Sequence, residues 1–314
     1  MPLDRQTKRI LDMLAAGGMP AGDSHLTAPK MRQAMLRLAQ ALDVKGIPIG
    51  QIENRDLPGP GGPLAVRIYT PVALKEQQGS PGIVYFHGGA GVFCSIETHD
   101  GLCRMLANAS GCRIIAVDYR LAPEHQFPAA VEDSYFASEW ISQHARQFNI
   151  DPTRLAVAGD SAGGTLAAVV CQRAKHAGGP SFVLQVLFCP VTDLSQISES
   201  WTTYGEKFFL DRKTLDWAVS QYCPAGTDMA DIRISPLRAR DLAGLPPAHI
   251  HTAEFDPLRD EGNAYAAALA RAGVPVRYIC HAGMIHHFYC MASAISYAEM
   301  AVAQAGAAIR EALS

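Results

Sequence analysis

Residues 155–170 constrain this chain most. Leu155-Ala156-Val157-Ala158 reads as a buried strand, Gly159-Asp160-Ser161-Ala162-Gly163-Gly164 as a sharp turn, and Thr165-Leu166-Ala167-Ala168-Val169-Val170 as the helix that the turn opens. The turn is tight enough to strain Ser161 and to lift its hydroxyl above the strand ends. Side chains at 159 and 163 would strike the adjoining strand and helix, which is why glycine stands at both. The amide of Ala162 then lies at a helix start, where the dipole favours negative charge. A plain turn with an N-capping serine can carry the same letters, so other segments have to decide.

The strand Ile83-Val84-Tyr85-Phe86 runs into His87-Gly88-Gly89-Ala90-Gly91. Without Cβ atoms, the amides of Gly88 and Gly89 can approach an oxygen closely, and together with Ala162 they would form an oxyanion hole. The same glycines do not read as a phosphate loop, because the Walker lysine and the Gly-x-Gly-x-x-Gly spacing are missing. Further strands are predicted at 64–70, 113–118, 154–159, 182–188, 248–253 and 276–280, and amphipathic helices at 4–16 and 29–42 with a turn around 17–21. Strands alternating with helices favour a mostly parallel sheet covered on both faces. The run Leu57-Pro58-Gly59-Pro60-Gly61-Gly62-Pro63 reads as a turn or short linker.

Five segments occur in one order: HGGAGVFCSIETHD (87–100), DYRLAPEHQFPAA (118–130), GDSAGG (159–164), DPLRDEG (256–262) and GMIHHF (283–288). In these motifs the chain resembles the hormone-sensitive-lipase-like bacterial carboxylesterases of the α/β-hydrolase superfamily. The resemblance implies an α/β-hydrolase fold, a mostly parallel sheet with helices on both faces and a helical cap. It implies hydrolysis of short- to medium-chain esters through an acyl-enzyme, with no cofactor and no metal. One domain over 1–314 is expected, the cap coming from 1–50 and part of the 191–225 insertion.

Asp256 follows the predicted strand 248–253, on the edge where open α/β sheets build their sites. Its rivals fit less well: Glu254 is at the strand end, and Asp260 and Glu261 fall in a helix's first turn. The Asp-Pro-Leu pattern of the family assigns Asp256, and the family likewise assigns His286 as the base. The order Ser161, Asp256, His286 is that of α/β-hydrolases. The family usually has glycine where this chain has His287, which leaves two adjacent imidazoles able to serve.

Substrate-pocket candidates are Ala90, Cys94, Phe208, Phe209, Leu210, Ile285, His287 and Phe288. The aromatic-rich insertion, with Trp201, Tyr204 and Trp217, suits either a cap over an apolar acyl pocket or ordinary cap core. Ala90 stands where the family most often has a third glycine. Members with Gly or Ala there resemble those that take tertiary-alcohol esters, and acceptance of such esters is the expectation here. Cys94 is a candidate for thiol-reagent sensitivity.

Two other functions share these residues: an aryl-amide deacetylase with the same triad, and a non-catalytic binding protein. The plant gibberellin receptors resemble this family but lack the histidine that is present here at 286. A net charge of −3 leaves no basic stripe for nucleic acid. No span for a membrane and no signal-peptide core is seen, so a cytoplasmic location is expected, and the resemblance implies a monomer or homodimer. The eight cysteines fall mostly in apolar runs, as reduced thiols would. The strand pair His249 and His251 and the cluster His281, His286 and His287 lack a metal-binding spacing.

Overall fold

A computed structural model describes residues 2–17, 26–74 and 79–314. Two helices come first, α1 (Arg5–Gly17) and α2 (Ala28–Leu42), and the expected turn between them lies, beyond Gly17, outside the described residues. The hairpin β1 (Gln51–Gly59) and β2 (Gly62–Thr70) follows, then β3 (Ser80–Phe86), α3 (Asp100–Ser110), β4 (Arg113–Val117), α4 (Ala129–Gln143), β5 (Ile150–Asp160) and α5 (Ala162–Ala177). Next come β6 (Leu184–Phe188), α6 (Glu199–Tyr204), α7 (Arg212–Tyr222), β7 (Ala248–Phe255), α8 (Arg259–Arg271), β8 (Val276–Ile285) and α9 (Ser296–Ala312).

The eight strands form one sheet in the order β1-β2-β4-β3-β5-β6-β7-β8. Both pairings of β2 are antiparallel and the rest are parallel. Every residue of β4 and of β6 is buried, as parallel strands covered on both faces require. Alternation divides the core. Val84, Phe86, Leu155 and Val157 pack with α4, α5 and α8, whereas Ile83, Tyr85, Ala156 and Ala158 pack with α3 and α9 on the other face.

Two segments differ from expectation. Of the two readings of residues 57–63, turn or short linker, the structure has the turn, but shorter and within a hairpin: Leu57–Gly59 ends β1, Gly62 opens β2, and only Pro60 and Gly61 turn. A polar edge strand with one buried residue, Leu57, gives no apolar signal, and an edge tolerates Pro58. β8 continues five residues past Cys280. Gly283, read as loop, sits inside the strand at a φ of 74°, where the β7–β8 register slips before Phe255 pairs with Ile285.

At Gly283 the sheet also receives α1. The Asp4 amide donates to the Gly283 carbonyl at 3.1 Å, and Asp4 Oδ1 caps the helix by accepting from the Gln6 and Thr7 amides. The buried Thr7 hydroxyl meets Met284 Sδ at 3.9 Å, and Gln6 Oε1 accepts from the Ser296 amide at 3.0 Å.

Candidate active site

β5 delivers Ser161 with φ 53° and ψ −122°, a conformation that the strand–turn–helix sequence forces on a non-glycine residue. The glycines permit it by close approach. A Cβ on Gly159 would drive into the Gly163 carbonyl, and one on Gly163 into the Phe86 carbonyl. The Ser161 amide donates to the Phe188 carbonyl at 2.8 Å, locking the elbow to β6.

Three side chains from three different strand ends converge. His286 Nε2 lies 3.1 Å from Ser161 Oγ, and His286 Nδ1 lies 2.8 Å from Asp256 Oδ2. The second oxygen of Asp256, which is fully buried, accepts from the Leu258 amide at 2.9 Å. Burial alone would lower the His286 pKa, but the Asp256 charge and hydrogen bond outweigh it and hold the value above that of a free imidazole. The rival acids point elsewhere. Glu254 accepts from the Gly283 amide, Asp260 from the Ser200 amide, and Glu261 from the amide of Thr192 and the indole of Trp201. Burial pushes Glu261 up to about 8.

The amides differ from expectation by one residue. Gly88 N–H donates to Asp160 Oδ1 at 3.0 Å and faces away from the cavity beside Ser161. Gly89 and Ala90 line that cavity with Ala162, and neither of their amides has an acceptor among the described residues. Among the described residues, the amides of Gly89, Ala90 and Ala162 are therefore the free donors at this cavity. Asp160 takes Gly88 out of the set; it also accepts from Tyr85 Oη at 2.7 Å and is 3.1 Å from His99 Nε2.

The cavity encloses about 100 Å³. Of the pocket candidates, Ala90, Cys94, Phe209, Leu210 and His287 line it. Phe208 does not: its ring packs between Tyr204 and Phe255, with centroids 5.2 and 5.5 Å away. Ile285 and Phe288 are fully buried in the core, Phe288 against Tyr289 at 3.9 Å. Met31 and Met35 of α2, with Phe93, Leu215, Val219 and Tyr222, add to the apolar lining and were not foreseen. Met31 and Met35 stand four apart on one helix face, a pattern that identifies a buried stripe without saying what it covers. Trp201 is core, packed with Val191, Leu215 and Leu258.

His287 adopts the left-handed region at φ 66° and stacks on Phe209 with ring centroids 5.7 Å apart. Burial and the neighbouring charge of His99 push its pKa down to about 3, so it is neutral near neutral pH. Cys94 is buried and burial raises its thiol, which disfavours the thiolate that thiol reagents need. His251 and His281 join a buried hydrogen-bonded group: His281 Nε2 is 3.1 Å from His251 Nδ1 and 2.7 Å from Tyr289 Oη, and its Nδ1 is 3.0 Å from Tyr297 Oη.

A family model described as the α/β-hydrolase fold matches residues 83–290. The chain belongs to this α/β-hydrolase family. Within it, the hydrolase is 42% identical over 254 residues to "Esterase LipI" of Mycobacterium tuberculosis, covering 80% of this chain and 79% of that relative. It is 35% identical to "Carboxylesterase NlhH" of the same organism over 99% of this chain and 96% of the other. Among solved structures, a hyperthermophilic esterase from the archaeon Pyrobaculum calidifontis superposes on this hydrolase with a TM-score of 0.95 at 39% identity, all of each chain being covered. An α/β-hydrolase enzyme from the metagenome of Lake Arreo gives the same score and identity over 98% of both chains. The family motifs, the sheet and these relatives place the hydrolase in the hormone-sensitive-lipase-like branch.

Proposed function

We infer that this hydrolase is a serine carboxylesterase in which Ser161 is the nucleophile, His286 the base and Asp256 its orienting acid. The observation that carries the reading is the unbroken line from Ser161 Oγ through the His286 ring to Asp256, with contacts of 3.1 and 2.8 Å. His286 Nε2 takes the Ser161 proton as Oγ attacks the ester carbonyl. The tetrahedral oxyanion is met by the amides of Gly89, Ala90 and Ala162, each such donor being worth about 100- to 1,000-fold in turnover. His286 returns the proton to the leaving alcohol and then draws one from water to release the acid. Asp256 keeps the Nδ1 proton in place and stabilises the imidazolium.

The apolar cavity of about 100 Å³ suits short to medium acyl chains. We assign α2 and the segment of α6 and α7 as a cap on a single catalytic domain, because Met31, Met35, Phe209, Leu215 and Val219 roof that cavity. All eight cysteines are unpaired, as suits a reducing cytoplasm, and no described helix is long and apolar enough to cross a membrane. The test is the initial hydrolysis rate across p-nitrophenyl esters of increasing acyl length, for the protein and for Ser161→Ala. Rates that fall at long chains and vanish in the variant are expected. Equal rates in both proteins would overturn the assignment.

A further inference from the structure

Beside the nucleophile, four metal-ligating side chains from three parts of the chain meet. His287 caps the 3₁₀ turn Phe288–Cys290 and Cys290 ends it. His99 closes a preceding 3₁₀ turn, Glu97–His99, and Asp160 ends β5. A ring nitrogen of His99, one of His287 and Cys290 Sγ all lie within 4.8 Å of one another. Asp160 Oδ2 is 3.1 Å from His99 Nε2 and 4.0 Å from His287 Nδ1. Asp160, His287 and Cys290 border an enclosed cavity of about 10 Å³, the scale of one water or one ion. Ser161, His286 and His287 line this cavity and the substrate cavity alike, so the two adjoin at these residues.

We propose that His99, Asp160, His287 and Cys290 form a site for a thiophilic divalent cation, zinc foremost, whose occupancy inhibits the enzyme. Two imidazoles, a carboxylate and the thiolate that Cys290 becomes when the metal displaces its thiol proton to water are a donor set that suits tetrahedral zinc, at about 2.0–2.3 Å from each ligand. The absence of a recognisable metal spacing in the sequence is no obstacle, because only His287 and Cys290 are near one another in the chain. The donors of His99, His287 and Cys290, now up to 4.8 Å apart, would have to draw together by roughly an ångström to share one ion, and Asp160 Oδ2 would give up its contact with His99 Nε2 to join them. That movement reaches the chemistry directly. Asp160 precedes Ser161 and His287 follows His286, so two ligands pull on the backbone of the nucleophile and of the base, where about an ångström of misplacement can cost on the order of 100-fold in rate.

The inhibitory effect rests on the esterase reading; the binding does not, and the experiment separates them. Cadmium, a zinc surrogate with a thiolate-to-metal absorption band, is titrated into a Cys280→Ser background, Cys280 being the one exposed thiol. One equivalent should bring up the band, in Ser161→Ala as well, where no activity is needed to see it. Cys290→Ser should abolish the band, and His287→Gly should weaken binding by at least about tenfold. In parallel, zinc should inhibit p-nitrophenyl ester hydrolysis reversibly by chelator, with the half-inhibiting concentration raised at least about tenfold in both variants relative to their own uninhibited rates. Cys189 forms a second possible trio with Asp256 and His286. A band that survives Cys290→Ser, or that only Cys189→Ser removes, overturns the proposal, as does the absence of any one-equivalent band. If the variants are poorly folded, the unfolding midpoint of the parent decides: zinc must raise it, since an ion bound only by the native state stabilises that state.

Discussion

Replacing Asp256 by asparagine should cost far more than the loss of one charge, because the Leu258 amide dictates which way the new side chain faces. In the native protein that N–H donates to Asp256 Oδ1 at 2.9 Å while Oδ2 receives His286 Nδ1 at 2.8 Å. An asparagine in the same place keeps its carbonyl oxygen on Leu258 and turns its NH₂ toward His286. Nδ1 must then accept, so the ring proton moves to Nε2 and points at Ser161 Oγ, 3.1 Å away. An imidazole in that tautomer cannot take the serine proton. The expected loss is about 10⁴-fold in kcat, or roughly 5 kcal/mol of barrier. KM should hold within a few-fold, since Asp256 is fully buried and does not line the substrate cavity. Steady-state kinetics on p-nitrophenyl butyrate, with circular dichroism to verify folding, measures both constants. A loss of less than tenfold in kcat, or an effect confined to KM, would refute the reasoning from the Leu258 hydrogen bond.

Acid should destabilise the fold through His281, whose burial brings its pKa down from 6.5 to about 4. The unfolded chain takes up this proton first as pH falls below 6.5, so stability drops through that window and the loss levels off below about 4, at roughly 3 kcal/mol in total and about 2 kcal/mol by pH 5. Urea unfolding at pH 7.5 and pH 5 should show His281→Gln losing about 2 kcal/mol less than the parent over the interval, whatever its starting stability; parallel losses would exclude His281 as the source. Ala90→Val puts a β-branched residue at a φ of 54° beside the oxyanion amides. It should lower stability by about 1–3 kcal/mol and slow a tertiary-alcohol ester more than its primary analogue, a ratio that competing-substrate rates give directly.

What could be read from the sequence follows the range of the interactions involved. The elbow was legible because its constraint is local: Gly159 and Gly163 are needed within two residues of Ser161. Asp256 and His286 are separated by 30 residues, and family motifs were needed to join them. That the Gly88 N–H is already taken was not legible, because nothing in HGGA announces the Asp160 carboxylate, 72 residues later, that accepts it. The cavity wall was half legible for the same reason. Phe209 and Phe208 look alike in sequence, yet the left-handed backbone of Phe209 at φ 73° lays its ring on His287, while Phe208 turns into the Tyr204 and Phe255 rings. Met31 and Met35 announced a buried face and no more.

The docking of α1 sets a timetable for the chain as it is made. The contact between Thr7 and Met284 spans 277 residues, so the first helix leaves the ribosome long before its partner strand exists. At about 5–20 residues per second that wait is roughly 15 seconds to a minute, during which the apolar side of α1, with Ile10 on it, has no native surface to cover. Met284 stands two residues before His286, so the strand that gives α1 its place also brings that imidazole to Ser161. Docking of α1 and arrival of His286 are thus one late event, and nascent chains up to that point hold the serine elbow without the ring that lies 3.1 Å from its hydroxyl.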